Sequence, residues 1–323
     1  MLTTPRPAGG AVTLGEALAT ATGTQPGTPT AGSPLRLSFA GAESNVAIGL
    51  ARLGHAATWI GRLGDDDPGR MVLRGLRGEG VTVPATRTAE PAPTAFMLKQ
   101  QRTADRVFVT YYRTGSAGSR LDEGDVDPQS ISSAAVLHVT GTTPALGPGP
   151  RRAVQRALEV AREHATLISL DVNYRSALWS PRQAACVLGP LAAHADVVFA
   201  GSEELDLVTD AGSRTAQQRA ADLRANGVRE VVVKDGARGA WALHSEGLTR
   251  VAARHVTCVD PVGAGDAFAA GYLSALLDGL PVPDRLERGT LCGAACVSTR
   301  GDWEGLPHRG ELAMLATADN VRR

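Results

Sequence analysis

Two separated stretches of this chain combine residue types and spacing that could do chemistry. The sharper one is Asp260-Pro261-Val262-Gly263-Ala264-Gly265-Asp266-Ala267-Phe268. Glycines let a backbone turn sharply and let an anion approach its amides. Phe268, Tyr272, Leu273 and Leu276 then recur at helical spacing, which puts Gly263, Ala264 and Gly265 at a helix N-terminus. Free N–H groups and the helix dipole favour negative charge there. Such a place suits a phosphoryl group in transfer, and Asp266, in the first turn, can take a proton from an attacking hydroxyl. An Asp after a glycine pair is also an ordinary helix start. No Lys-Ser/Thr follows, so this is not a Walker A loop, and its place late in the chain separates it from the dinucleotide fingerprint. The second stretch is Gly41-Ala42-Glu43-Ser44-Asn45-Val46-Ala47. Its small residues admit a ligand close to the backbone, and Asn45 offers both a donor and an acceptor. Alone, it reads first as a capped helix after a glycine turn.

These stretches need elements to hold them. Ala11 to Leu14 and Ala57 to Ile60 read as strands, and Thr20 to Pro34 reads as a loop rich in Thr, Gly and Pro. Between the strands Ser44 or Asn45 can cap a helix that Gly54 ends. Asp65 to Gly80 reads as a turn and a helix. Thr94 to Gln100 and Arg106 to Tyr112 form a strand pair with a turn at Thr103-Ala104-Asp105 and no helix between. Beyond it, Val136–Thr140, Thr166–Asp171, Asp196–Ala200 and Glu230–Lys234 are buried strands separated by helical patterns such as Arg151 to His164. That alternation implies a parallel sheet covered on both faces. Gly239 to Leu243 and Arg254 to Cys258 are the last candidate strands. Helices are expected over 265–278, 284–299 and 311–321.

Composition bounds the function. The chain has 323 residues, 43% hydrophobic and 20% charged. At roughly 100–200 residues per domain this is one large domain or two modest ones. The 33 basic and 33 acidic residues cancel, which argues against a nucleic-acid binder, because that role needs a basic face. No run approaches the ~18 apolar residues of a membrane span. Met1 to Gly10 lacks a signal-peptide pattern. Cys186, Cys258, Cys292 and Cys296 are too sparse for a disulfide framework. Cys292 and Cys296, one helical turn apart without further ligands, read as buried side chains. A cytoplasmic protein is expected. Lys99 and Lys234 are the only lysines.

Taken together, the segments at 41–54 and 260–272 resemble the ribokinase-like sugar kinases of the PfkB family, which carry a GG-x-x-x-N-x-A segment early and a D-T-x-G-A-G-D segment late. Gly41 to Gly54, Tyr111 to Ser119, Asp171-Val172-Asn173-Tyr174-Arg175 with Leu178-Trp179, and Arg300 to Pro307 look like the 2-keto-3-deoxygluconate kinases within it. The resemblance implies a three-layer α/β sandwich with a mostly parallel sheet and a small β lid. The main domain would be 1–32, 41–84 and 114–323, and the lid 33–40 and 85–113. It implies transfer of the ATP γ-phosphoryl to a sugar acid, with Mg²⁺, a monovalent cation whose identity stays open, and homo-oligomers paired through the lid. Asp266 would be the base, and the amides of Gly263, Ala264 and Gly265 would bind the developing charge.

Tyr111 and Arg113, two apart on a strand, point the same way and can hold a hydroxyl and a carboxylate together. By resemblance Gly41, Ala42, Glu43, Asn45, Arg175 and Asp302 complete the substrate site. Ser202, Lys234, Gly236, Gly239, Gly263 and Gly265 would border the nucleotide. Glu204 is the metal candidate, although its segment, Gly201-Ser202-Glu203-Glu204, lacks the Asn of the family's N-x-x-E. Ala40 stands where the first motif usually has Gly, Pro261 where the late motif has Thr, and Met97 where the lid often has an aromatic. A fructokinase- or ribokinase-type enzyme, a nucleoside kinase and a non-catalytic sensor on the same fold are the competing readings.

Overall fold

In the computed structural model, residues 9–84, 91–103, 106–209, 212 and 214–317 are described. The chain runs through β1 (Ala11–Leu14), β2 (Leu18–Gly23), β3 (Leu35–Ala40), α1 (Ala42–Arg52), β4 (Ala57–Ile60), α2 (Asp67–Gly78), β5 (Phe96–Thr103) and β6 (Arg106–Tyr112). Then come α3 (Pro128–Ser133), β7 (Val136–Thr140), α4 (Thr142–Ala145), α5 (Pro148–Glu163), β8 (Leu167–Asp171), α6 (Pro181–Ala192), β9 (Val197–Gly201), α7 (Ala216–Ala225) and β10 (Glu230–Lys234). A hairpin of β11 (Ala240–His244) and β12 (Gly247–Val251) follows, and α8 (Ala264–Leu277), α9 (Val282–Val297) and α10 (Leu312–Ala316) close the chain.

Eight strands form the main sheet in the order β12-β11-β10-β9-β8-β7-β1-β4. The six from β10 to β4 are parallel, and the hairpin adds an antiparallel edge. Alternate side chains of a strand point to opposite faces, and each face has its own core. Val231 and Val233 pack with Val12, Leu137 and Ile168 on one face. Val232 packs with Val136, Phe199 and Tyr272 on the other. Burial on both faces explains why these strands read as unbroken apolar runs.

The smaller sheet has the order β3-β2-β5-β6. It contains Leu18–Gly23, so the expected loop from Thr20 begins as a strand, and residues 1–32 do not all belong to the main body. Ala19 and Ala21 are 1% exposed. The Thr and Gly content that suggested a loop instead fits a strand packed closely against α2 and β5. The expected turn at 104–105 lies outside the described residues, as do lid residues 85–90. The helix expected over 311–321 is shorter, because α10 ends at Ala316 and Thr317 turns to an extended backbone.

Two other expectations change. Gly41, not Ser44 or Asn45, caps α1, and both of those side chains lie in the helix's first turn. Arg254–Cys258 is not a strand. The amides of Val259 and Asp260 just beyond it donate to the Val297 carbonyl at the end of α9, so the segment is held by a helix end rather than a ladder. The antiparallel edge partner is Gly247–Val251, reached through a Ser245-Glu246 turn that carries no strong hairpin signal.

One packing detail sets up the site. Gly49 of α1 lies against Ala270 of α8, where a Cβ on Gly49 would overlap the Ala270 methyl. This close approach brings the N-terminal turns of α1 and α8 side by side at the carboxyl ends of the parallel strands.

Candidate active site

Thr140, Asp171, Gly201 and Lys234 are the last residues of β7, β8, β9 and β10. In open α/β sheets ligands bind beyond such strand ends. Here a cavity of about 460 Å³ opens between these ends and the smaller sheet. It gathers Gly41, Ala42, Glu43, Asn45, Tyr111, Arg113, Arg175 and Asp302, together with Gly263, Gly265, Asp266, Lys234 and Glu204. A second, more apolar cavity of about 420 Å³ adjoins it, lined by Gly236, Gly239, Val256, Ala264, Phe268 and Val297. The two share Lys234, Pro261 and Gly265 as walls. Ser202 lines neither; its hydroxyl stands 3.4 Å from an Asp235 carboxylate oxygen.

The shared wall is the start of α8. Gly263 is its N-cap at φ +80°, a left-handed conformation that favours glycine. The first helical bond runs from the Ala267 amide to the Gly263 carbonyl at 2.8 Å. The amides of Ala264, Gly265 and Asp266 therefore precede the ladder and face outward. Lys234 sits beside them, since a Cβ on Gly265 would stand 3.2 Å from its Nζ. Burial opposes the Lys234 charge, but Asp171, Glu204 and Asp266 outweigh it and raise its pKa. Its Nζ is 2.5 Å from Asp171 Oδ2. Three free amides and a cation thus converge on one point between the cavities, the arrangement that binds an oxyanion.

Asp266 is 8% exposed. Burial pushes its pKa up to about 6, with Asp171 adding to the rise and Asn45, Arg175 and Lys234 opposing it. The Asn45 amide donates to Asp266 Oδ2 at 2.8 Å, and among the described residues no side chain donates to Oδ1. Asn45 Oδ1 is buried without a partner, so the Asn45 amide is committed to Asp266 through its nitrogen alone. A carboxylate held at one oxygen and free at the other is suited to take a proton.

Glu43 is more committed. Its Oε1 accepts from Thr140 at 2.7 Å and Thr143 at 2.6 Å, and burial raises its pKa to about 7. Arg175 follows Asn173, which adopts φ +37°, a region where Asn is enriched, and an Asp171 oxygen accepts from the Asn173 amide at 3.2 Å. Asp302 pairs with Lys99 of β5. Burial raises the Asp302 pKa, and Lys99 partly offsets the rise. This pair, the Arg36–Glu304 pair at 2.9 Å and the bond from Trp303 Nε1 to the Phe39 carbonyl at 3.0 Å tie the smaller sheet to the segment 300–304.

Sequence reasoning missed Glu16 and Lys99 as cavity-lining charges and Asp171 as the buried partner of Lys234. For Lys99 there was a signal: it is one of two lysines in an arginine-rich chain, on the same strand face as Met97. Glu16 follows an apolar strand by one glycine, a pattern common enough to pass unnoticed.

Comparison with known proteins agrees with this geometry. A model of the pfkB family carbohydrate kinases matches residues 10–309. The chain is 38% identical over 316 residues to the 2-dehydro-3-deoxygluconokinase of Bacillus subtilis (strain 168), covering 96% of both. It is 34% identical over 311 residues to the enzyme of that name from Thermoproteus tenax, covering 95% of this chain and 94% of that one. The crystal structure of the 2-dehydro-3-deoxygluconokinase of Thermotoga maritima superposes with a TM-score of 0.82 at 25% identity, over 95% of this chain and 97% of that one. The fold is ribokinase-like. With the family match spanning both helix starts that meet at the oxyanion point, the chain belongs to the pfkB family of carbohydrate kinases, phosphotransferases that act on an alcohol group.

Proposed function

We propose that the protein transfers the γ-phosphoryl group of ATP to a hydroxyl of 2-keto-3-deoxygluconate. The observation that carries this reading is the sharing of the α8 N-terminus by the two cavities. One is polar and holds Asp266 with Tyr111, Arg113 and Arg175, and suits a sugar acid. The other, apolar and edged by Gly236 and Gly239, suits a nucleotide base. The names of the relatives at 38% and 34% identity support the same substrate.

In this mechanism Arg113 and Arg175 bind the carboxylate and orient the sugar, with the Tyr111 hydroxyl beside them. Asp302 accepts from sugar hydroxyls. Asp266 Oδ1 accepts the proton of the attacking hydroxyl, while the amides of Ala264, Gly265 and Asp266, with Lys234, hold the charge that develops on the phosphoryl oxygens. Positioning and charge stabilisation are the main contributions to phosphoryl transfer.

The donor set fits Mg²⁺ that arrives with phosphates. Among the described residues no group of three or more His, Cys, Asp or Glu forms a cage. Glu204 lines the cavity, but its two oxygens accept from the amides of Tyr174 at 2.8 Å and Gly201 at 2.7 Å. Mg²⁺ keeps several waters and takes only one or two carboxylates besides phosphates. Glu204 would meet it through such waters, and the ion would neutralise phosphate charge.

Arg113→Ala tests the substrate class. A charge-assisted pair contributes about 1.5–3 kcal/mol, so kcat/KM for 2-keto-3-deoxygluconate should fall about 10- to 100-fold with KM for ATP unchanged. The decisive assay follows ATP consumption with the keto acid, fructose, ribose and adenosine. Turnover of a neutral sugar in preference to the keto acid would overturn the acid-sugar reading and leave the role of Asp266 intact.

We infer too that a second copy covers the outer face of the smaller sheet. Leu37, Phe108 and Tyr112 are 64%, 58% and 60% exposed, and the strand register puts them on one face with Phe96 and Leu98. Sedimentation should show an oligomer that Leu37→Asp with Phe108→Asp converts to monomer. A wild-type monomer at micromolar concentration would reject this pairing. No helix among the described residues is long and apolar enough to cross a membrane.

A further inference from the structure

Arg113 is already engaged before any substrate arrives. Glu16, two residues past β1, accepts from Arg113 Nε at 3.0 Å and from Nη2, both on Oε2. The Glu16 side chain is 2% exposed and that of Arg113 12%. The other carboxylate oxygen of Glu16 accepts from Ser116 Oγ at 3.3 Å. We propose that Glu16 is the positioning residue that fixes Arg113 to read the substrate carboxylate, and so sets the preference for acidic over neutral sugars. This rests on the acid-sugar reading given above.

The geometry supplies the reason. A guanidinium carries five N–H donors in a rigid fork with two usable edges. Glu16 occupies the side edge, Nε with Nη2. Among the described residues nothing accepts from Nη1, so the end edge remains for a second carboxylate. The Tyr111 ring lies under the guanidinium, 5.0 Å from its carbon, and closes off another direction. Glu16 is itself held in place from behind. A Cβ on Gly118 would overlap its side chain, so the turn after β6 wraps the carboxylate closely. Without Glu16, Arg113 is a flexible cation next to a cavity, and a bidentate contact would require ordering it at each binding event. Two effects oppose each other on substrate binding: Glu16 repels an incoming carboxylate and orients the cation that receives it. The side-on pair from a buried carboxylate decides for orientation, because a fork whose edge is displaced loses both of its bonds to the substrate.

The test is steady-state kinetics on the full chain with ATP and 2-keto-3-deoxygluconate. Glu16→Gln should raise KM for the keto acid about tenfold, while kcat and KM for ATP stay within twofold. Gly118→Ala, which displaces Glu16 from the outer side, should shift KM in the same direction. In an Arg113→Ala background Glu16→Gln should add less than a twofold change, since residues that act through one another are not additive. A fall in KM would overturn the proposal, because repulsion would then be the main action of Glu16. Additive effects, or a joint loss of kcat and both affinities, would make Glu16 a general structural residue and also overturn it. If the wild type ignores the keto acid, the substrate reading itself has failed. If the wild type turns it over and Arg113→Ala weakens it while Glu16→Gln does not, only the present inference has failed.

Discussion

Asp266→Asn is expected to lower kcat by about 10³-fold and to raise the melting temperature. A positioned general base contributes about 10²- to 10⁴-fold, and the geometry leaves one oxygen of Asp266 free to do so. Asn keeps the shape and can still accept from the Asn45 amide, but it takes no proton. The stability change follows from the same burial. The folded state raises the Asp266 pKa from 3.8 to about 6. Between those values the folded protein keeps a proton that the unfolded chain releases. Stability therefore falls as pH rises through that window, by up to about 3 kcal/mol above pH 6. A neutral Asn escapes that cost, so the variant should melt a few degrees higher at pH 7.5 and show little gain at pH 4. In the wild type, kcat/KM should drop about tenfold per pH unit below about 6, as the base becomes protonated. Calorimetry and a pH–rate profile check both. A variant that retains turnover, or a profile flat from pH 5 to 8, would remove Asp266 from the role of base.

This coupling shows why the site could be read in the sequence only in part. The glycine turn at the start of α8 is local. Gly263, Ala264, Gly265 and Asp266 are contiguous, and a glycine turn before a helix has the same geometry wherever it occurs. Strand alternation puts Arg113 and Tyr111 on one face, but alone that pair reads as an aromatic-rich strand with a solvated Arg. What surrounds them is not local. Asn45 reaches Asp266 across 221 positions of chain, Lys99 reaches Asp302 across 203, and Glu16 reaches Arg113 across 97. No periodicity reports such pairings, which exist because α1 packs on α8 and the smaller sheet folds over both. The same holds for β2. Its Thr, Ala and Gly residues have weak strand preference, and only a neighbouring strand on each side makes them a strand. The buried parallel strands were legible because burial on both faces leaves an apolar run that few other structures explain.

Gly263→Ala is the second change with a large expected effect, and it tests the other half of the reaction. At φ +80° a side chain is strained, by about 1–2 kcal/mol. A Cβ there would also overlap the Asp302 carbonyl oxygen. The backbone must then move at one of two places. If α8 gives way, the amides of Ala264 and Gly265 turn from the point where phosphoryl charge develops. If the segment 300–304 gives way, Asp302 leaves the cavity and the Lys99 pair that ties down the smaller sheet is broken. Loss of one preorganised donor to an oxyanion costs about 10²- to 10³-fold in kcat, so a fall of that size is expected by the first route. The second route adds a rise in KM for the sugar. Measuring kcat and both KM values separates them, because a movement confined to α8 leaves sugar affinity near wild type. A Gly263→Ala enzyme with wild-type kcat would show that the turn at the start of α8 does not hold the transferring group, and that the amides lining the shared wall serve only to begin a helix.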